Sequence, residues 1–319
     1  MARLLEPKDI PLTLWDPSSR TIHLPPVLTE VWLSILDSKN LREQAMSRCP
    51  EGIVGGVDEK STNDHLAWRY TGSAARVQLT VLDPTGDFPH IAEMYERLFS
   101  GNRAIMVDVP CGSGAAALSI LSTLAELRRQ KRVPREPIDI VLISGEISRF
   151  ARENAQVMLA QAKDGLSAQG IFVNDECHSW DVCDKISSTQ FITTMVRRRE
   201  GCSTGAIIVA NFSDFLHKER KFDEAKGQLE ELFRYFSDAN NSALWIEPQR
   251  NDILKGGFFK RILNWAETKG FRNFIRRIAG AESEENAAVV TTHCSHPIEG
   301  KEQFQVHLAV LHFSLDPNS

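Results

Sequence analysis

One segment restricts what this chain can fold into more than any other: AIMVDVPCGSG, residues 104–114 of 319. Its first part, Ala104–Val107, is an apolar β-type run that ends in Asp108. A tight turn follows, Pro110-Cys111-Gly112-Ser113-Gly114, and then a helix-forming run, Ala115–Gln130. Strand, glycine turn and helix in that order make a cradle for a nucleotide-like ligand. Gly112 and Gly114 admit a ligand close to the backbone, and the start of the helix offers free N–H groups.

The rest of the chain fits that beginning. Strands are expected at Ala104–Val109, Ile138–Ser144, Cys177–Val182, Gly205–Phe212 and Ala243–Glu247. Helices are expected at Ala115–Gln130, Ser148–Ala168, Lys185–Arg199, Asp223–Asp238 and Phe258–Lys269. Such alternation predicts an α/β fold, a doubly wound and mostly parallel sheet with helices on both faces. Two late runs, Ala287–His293 and Phe304–Phe313, have no helix between them and should pair antiparallel, giving seven strands in all. Residues 1–100 differ in character. Pro7, Pro11, Pro17, Pro25 and Pro26 predict an extended or looped opening. A helical pattern runs from Val27 to Met46, Cys49–Asn63 reads as a loop, and His90–Phe99 reads as a helix. The division expected is a largely helical N-terminal extension or lid over residues 1–100 and a ligand-binding sheet domain over residues 101–319.

Composition narrows the function classes. A net charge of -5 supplies no global field for nucleic acid. The first residues lack the apolar core of a signal peptide, and no run of about 18 apolar residues is present, so no membrane contact is expected. Cys49, Cys111, Cys177, Cys183, Cys202 and Cys294 are scattered and include no C-x-x-C pair. They read as reduced thiols of a cytoplasmic protein. Cys177, His178 and Cys183 with His293, Cys294 and His296 match no zinc spacing, and no metal site is expected.

In a doubly wound sheet, ligands sit at the carboxyl ends of the strands. The candidates there are Asp108, Pro110, Cys111, Gly112 and Gly114 after the first strand, Glu146 after the second, and Asp181 or Asp184 after the third. Asn211 and Phe212 follow the fourth. A carboxylate after the second strand suits a ribose diol, although Glu146 could instead cap the next helix. The G-x-G-x-x-G dinucleotide fingerprint is not met, which argues against a nicotinamide enzyme.

This set resembles the class I S-adenosylmethionine-dependent methyltransferases. VDVPCGSG is similar to their first motif, Glu146 to their ribose-binding acid, WDVCD at 180–184 to the adenine-contacting segment, and IVANF at 208–212 to the fourth-strand motif. The resemblance implies S-adenosylmethionine as cofactor, with Asp181 and Val182 at the adenine. Tyr70 and Arg76, just upstream of the sheet, would fold over the methionine end, where Arg76 would pair with its carboxylate. Pro110 departs from the glycine usual there. The N/D-P-P-Y/F sequence of base-amino methylation is absent from the fourth strand. The chemistry implied is direct displacement, in which the protein mainly aligns the acceptor. A general base is needed only for an acceptor of high pKa; Asp214, Glu247 and His178 are the candidates. The alternative is a non-catalytic S-adenosylmethionine-binding scaffold subunit of a larger complex.

The acceptor expected is RNA or protein rather than a small molecule. Residues 251–277 gather Lys255, Lys260, Arg261, Lys269, Arg272, Arg276 and Arg277 among Phe258, Phe259, Trp265, Phe271 and Phe274. Phosphate contact with aromatic stacking is one way RNA is held. An amphipathic helix with a solvated basic face has the same letters.

Overall fold

The computed structural model describes residues 3–53, 55–218, 221–248, 287–298 and 302–316. The N-terminal part contributes β1 (Trp15–Asp16), β2 (Thr21–Ile22), α1 (Pro26–Ser38), α2 (Arg42–Met46), α3 (Glu59–Trp68), α4 (Tyr70–Leu82) and α5 (Pro89–Ser100). The alternating part runs β3 (Arg103–Asp108), α6 (Ala115–Arg129), β4 (Ile138–Glu146), α7 (Arg149–Ser167), β5 (Ile171–Ser179), α8 (Lys185–Arg198) and β6 (Thr204–Ala210). It continues through α9 (Ser213–Lys218), α10 (Phe222–Phe236) and β7 (Asn241–Pro248) to β8 (Ala287–Cys294) and β9 (Phe304–Ser314).

These elements build one mixed sheet in the order β1-β2-β8-β9-β7-β6-β3-β4-β5. β3, β4, β5, β6 and β7 pair in parallel, and β9 runs antiparallel to both β7 and β8. The strand order reverses at β3, where β4 lies on one side and β6 on the other. That reversal opens a crevice at the carboxyl ends of the two strands.

Period-two alternation divides the sheet between two cores. Ala104 and Met106 of β3, Ile208 of β6 and Leu244 of β7 face one core; Ile105, Val107, Val209 and Trp245 face the other. α8 and α10 cover the second face through Phe191, Met195, Leu229 and Phe233. The first face is covered by α6 and α7 and also by the N-terminal part, including Leu28, Trp32, Tyr70, Leu79 and Leu98. α6 is therefore sandwiched. Its residues from Ala116 to Arg128 are all buried, and Ser119 Oγ donates to the Ala74 carbonyl of α4 at 2.8 Å. A helix made of Ala, Ser and Leu on every side suits that position.

Several expectations need correction. Among the described residues the sheet has nine strands, not seven, because the proline-punctuated opening is not merely loop: β1 and β2 form a small antiparallel pair, and β2 joins β8 in parallel. The strand expected at Cys177–Val182 is Ile171–Ser179. It is an edge strand that pairs with β4 from Ile138↔Ile171 to Glu146↔Ser179, and its solvent face carries the polar residues that hid it. The pattern from Val27 to Met46 is two helices, broken at Asn40, whose φ is +56°. α3 begins at Glu59, inside the expected loop, because Asp58 caps it by accepting from the Ser61 N–H. The helix expected at Phe258–Lys269 and the whole basic segment Lys255–Arg277 lie outside the described residues. Among the described residues, no helix is long and apolar enough to cross a membrane.

Candidate functional site

The carboxyl ends of β3, β4 and β6 meet at one edge. Asp108 closes β3 and sits in register between Ser144 of β4 and Ile208 of β6. Its side chain is fully buried. Oδ2 accepts from the Ala117 N–H in the first turn of α6 at 3.2 Å, while Oδ1 has no hydrogen-bond partner among the described residues. Burial pushes this carboxyl up to about 7, the Ala117 N–H holds it down, and the nearby Glu146 charge raises it further. Tyr70, also buried, lies close enough for Asp108 to add to the burial that raises its phenol; its hydroxyl likewise lacks a partner among the described residues. Two buried polar atoms without partners mark a place built to hydrogen-bond something else.

The turn after β3 is tied to β4. The Cys111 N–H donates to the Gly145 carbonyl at 2.9 Å, and the Gly112 N–H to Glu146 Oε2 at 3.0 Å. Glu146 Oε1 accepts from the Ser148 N–H at 2.8 Å, while the Ser148 side chain itself caps α7 by accepting from Ala151. Glu146 is therefore not the helix cap. Burial raises its carboxyl. Two hydrogen bonds leave lone pairs on each oxygen for a diol.

The two glycines do different things. Gly112 has φ +52°, and a Cβ added there would meet no atom within 4 Å, so the space above it is open. Gly114 has φ +82°, and its Cβ would sit 3.3 Å from the Ala155 side chain of α7. Gly114 lets the start of α6 pack close against α7. Pro110 follows a cis peptide bond from Val109. The buried Cys111 thiol donates to its neighbour's carbonyl, and its interaction with Cys177 and its burial hold it well above the usual thiol range. It stays protonated and is not a nucleophile.

The turn after β5 follows from a ladder that continues one bond beyond the strand, the Trp180 N–H donating to the Glu146 carbonyl at 3.2 Å. Asp181 accepts from the Cys183 N–H at 2.9 Å and is half-buried at the edge of the cleft. Asp184 caps α8 by accepting from the Ile186 and Ser187 N–H groups, which accounts for it. The Val182 side chain is buried in the second core, leaving its backbone for any contact.

Asn211 follows β6 with φ +57°, and its Oδ1 accepts from the Arg76 guanidinium of α4 at 2.8 Å. Phe212 stacks on Phe215 and lies 6.3 Å from both Trp180 and Trp245. The segment is held from below by Glu247, which is fully buried. Its carboxylate accepts from the Phe212 and Ser213 N–H groups, the Ser213 hydroxyl and the Trp245 indole. Glu247 is thus a structural anchor and not a free base.

Two contributors escaped the sequence reading. His65 lies near Arg69 and Arg76, and burial followed by those two charges lowers its imidazole to about 4, so it is neutral. Arg152 of α7 donates to the Glu146 and Ile147 carbonyls at 2.6 and 2.8 Å and fixes the turn after β4. The signal for the first was present: His65, Arg69, Ser73 and Arg76 repeat at helical spacing, and Arg76 donates to the Ser73 hydroxyl.

The imagined metal ligands do not converge. Cys177 and His178 lie on or beside β5 and His293 and Cys294 on β8, with β9, β7, β6, β3 and β4 between them. Among the described residues, no group of three His, Cys, Asp or Glu side chains comes together to hold a metal ion.

No protein-family model matches the chain, and no curated protein does. Among solved structures, one similar chain is the precorrin-6y C5,15-methyltransferase of Geobacter metallireducens GS-15. It is 10% identical, with 69% of this chain and 85% of that one covered and a TM-score of 0.32. Another, from Listeria monocytogenes, is provisionally assigned as a class I S-adenosylmethionine-dependent methyltransferase. It is 9% identical, with 91% and 86% covered and a TM-score of 0.35. Scores this low carry no argument about ligand or activity; the α/β architecture stands on its own strand order.

Proposed function

We propose that the chain is an S-adenosylmethionine-dependent methyltransferase. The observation that carries this reading is the group at the end of β3. Asp108 Oδ1 and the Tyr70 hydroxyl are buried without partners among the described residues, near the open space over Gly112 and the Glu146 carboxylate that Gly112 bonds.

The donor and acceptor set fits the cofactor part by part. Glu146 would accept from the ribose hydroxyls. Asp181 and the Val182 backbone would meet the adenine, with Trp180 and Phe212 as apolar neighbours. Arg76, held by Asn211, would pair with the carboxylate, and Asp108 with Tyr70 would satisfy the amino end. The cofactor supplies an already activated methyl group. The chain's own work is alignment, exclusion of water and burial of the charged ends. The residues before Ser100 form in this reading one wall of the site: the Thr62 and Ser148 hydroxyls lie 3.1 Å apart, joining α3 to the start of α7 beside Glu146.

Calorimetric titration with S-adenosylmethionine and S-adenosylhomocysteine, with NADH as control, tests the reading. Micromolar binding of the first two alone is expected. Glu146→Ala should weaken it by about 1–3 kcal/mol, the cost of unpaired polar contacts. Failure of both sulfur nucleosides to bind overturns the site. Binding without transfer to RNA or protein acceptors favours the scaffold alternative.

A further inference from the structure

A second site lies at the opposite end of the sheet. α6 begins at the glycine turn and ends at Arg129, and the chain after it returns to β4 through Lys131, Arg132, Val133, Pro134 and Arg135. These residues, with Arg128, Arg129 and Gln169, line a groove of about 630 Å³. That volume falls in the range of ligand pockets, roughly 300–1,000 Å³. Five of the eight lining residues are cations and none is acidic, in a chain whose net charge is -5.

The cations are not used up by the fold. Arg129 is paired with Glu126 at 2.6 Å. Lys131 and Arg132 are exposed and make no ion pair among the described residues. Arg135 reaches only a carbonyl, that of Ala168. Arg128 is the most telling. It is 4% exposed, its guanidinium donates to the Gln169 and Gly170 carbonyls, and it is in no salt bridge among the described residues, though the Glu136 charge acts on it. Its Nε is buried without a hydrogen-bond partner among them. Burial opposes its charge, the nearby Glu136 favours it and the Arg135 charge opposes it again, so an arriving anion would relieve both burial and the like charge. Cations do suit the last turn of a helix, where they complement its dipole. That accounts for Arg128 and Arg129, but not for Arg132 and Arg135 beyond it.

The backbone gives an independent indication. The Arg132 N–H donates to the Leu127 carbonyl, closing α6 in the manner of a Schellman cap, and the left-handed position within that cap is Lys131 at φ +57°. Glycine is the favoured residue there. A lysine held in the left-handed region against preference, at the rim of a cationic groove, points to a use for its charge.

We propose that this groove binds the phosphodiester backbone of a nucleic acid. Guanidinium forks match phosphate oxygens. Among the described residues the lining holds cations and no aromatic side chain, which suits backbone contact rather than base stacking. The proposal does not depend on methyl transfer, and it uses none of the basic residues of the segment 255–277.

The test is fluorescence anisotropy of the full chain with a short labelled RNA hairpin and a DNA of equal length, across a salt series. Binding of either should weaken with salt at a log–log slope of about −0.7 to −0.9 per phosphate neutralised. Lys131→Glu with Arg132→Glu should cost roughly tenfold in affinity and flatten the slope by about 2. Lys131→Gly should raise Tm while weakening binding, a combination that a purely structural role would not produce. RNA binding with DNA excluded, or both bound, supports the groove and assigns the source. Tripolyphosphate binding without nucleic acid, or displacement of RNA by polyaspartate as readily as by tripolyphosphate, overturns it. So does RNA binding indifferent to the groove variants but lost on reversing Lys260, Arg261, Arg276 and Arg277.

Discussion

Asp108 is where a single side chain most directly governs what the site can do. Folding carries its carboxyl from an ordinary value near 3.8 to about 7. Between those values the folded state holds a proton that the unfolded chain has released, so the free protein loses stability as pH rises through that window. A ligand that donates a hydrogen bond to Oδ1 favours the ionised form and expels the proton. Affinity for S-adenosylmethionine should therefore rise with pH up to about 7 and level off above it. Calorimetry in two buffers of different ionisation heat should register proton release at pH 6, and Asp108→Asn should abolish both effects. A pH-independent dissociation constant in the native protein would remove Asp108 from the ligand's contacts. The two glycines make a second contrast at this scale. Gly112→Arg should abolish cofactor binding while the fold persists with a modest loss of Tm, because its Cβ points into open space although its φ is +52°. Gly114→Ala should lower Tm, because its Cβ meets Ala155 and its φ is +82°. Thermal scans with and without ligand separate the two.

At the scale of elements, the segment after β6 depends on β7. Four groups of residues 212, 213 and 245 donate to the one carboxylate of Glu247, which burial keeps raised and the same hydrogen bonds hold down. Glu247→Ala orphans all four and should cost about 3 kcal/mol or more in a denaturant titration, whereas Glu247→Gln keeps an acceptor and should cost less. Equal losses from both variants would mean that the charge matters and the hydrogen bonds do not. The sequence alone presented Glu247 as a candidate base, because nothing in a linear string reveals which amides a carboxylate will face. Other parts were legible for equally physical reasons. β3, β6 and β7 are buried on both faces and read as continuous apolar runs. β5 was misplaced because an edge strand needs no such run. β1 and β2 were missed because two-residue strands carry no period at all. Asp108, the glycine turn and Glu146 could be read from position after a strand. His65 showed only as a helical spacing with Arg69 and Arg76, and Arg152 not at all, since its part is to bond the carbonyls of the turn before its own helix.

The whole molecule raises the question of what residues 1–100 are for. They have the sequence of an appendage, yet Leu28, Trp32, Leu36, Leu79 and Leu98 belong to the same core as Ala104, Met106 and Leu118. The ties are also polar. Across to the sheet part, Thr13 donates to Glu126 of α6, Arg76 to Asn211, and Ser119 of α6 to the Ala74 carbonyl; within residues 1–100, Trp32 donates to the Leu66 carbonyl and Arg3 to the buried Asp83 at 2.6 Å. Removing these residues would strip one face of α6, which has no polar side to offer water; each large side chain uncovered costs roughly 1.5–3 kcal/mol. Since total stability of a domain is about 5–15 kcal/mol, a chain starting at residue 101 has too little left to fold. The truncated chain should lack a cooperative thermal transition and should aggregate, whereas an Arg3→Ala full-length chain should fold with a loss of about 3–5 kcal/mol from the unpaired Asp83. A truncated chain that melts cooperatively and still binds S-adenosylmethionine would make the N-terminal part a true lid, dispensable for folding. A truncation that fails to fold makes it half of the wall against which the cofactor loop is built.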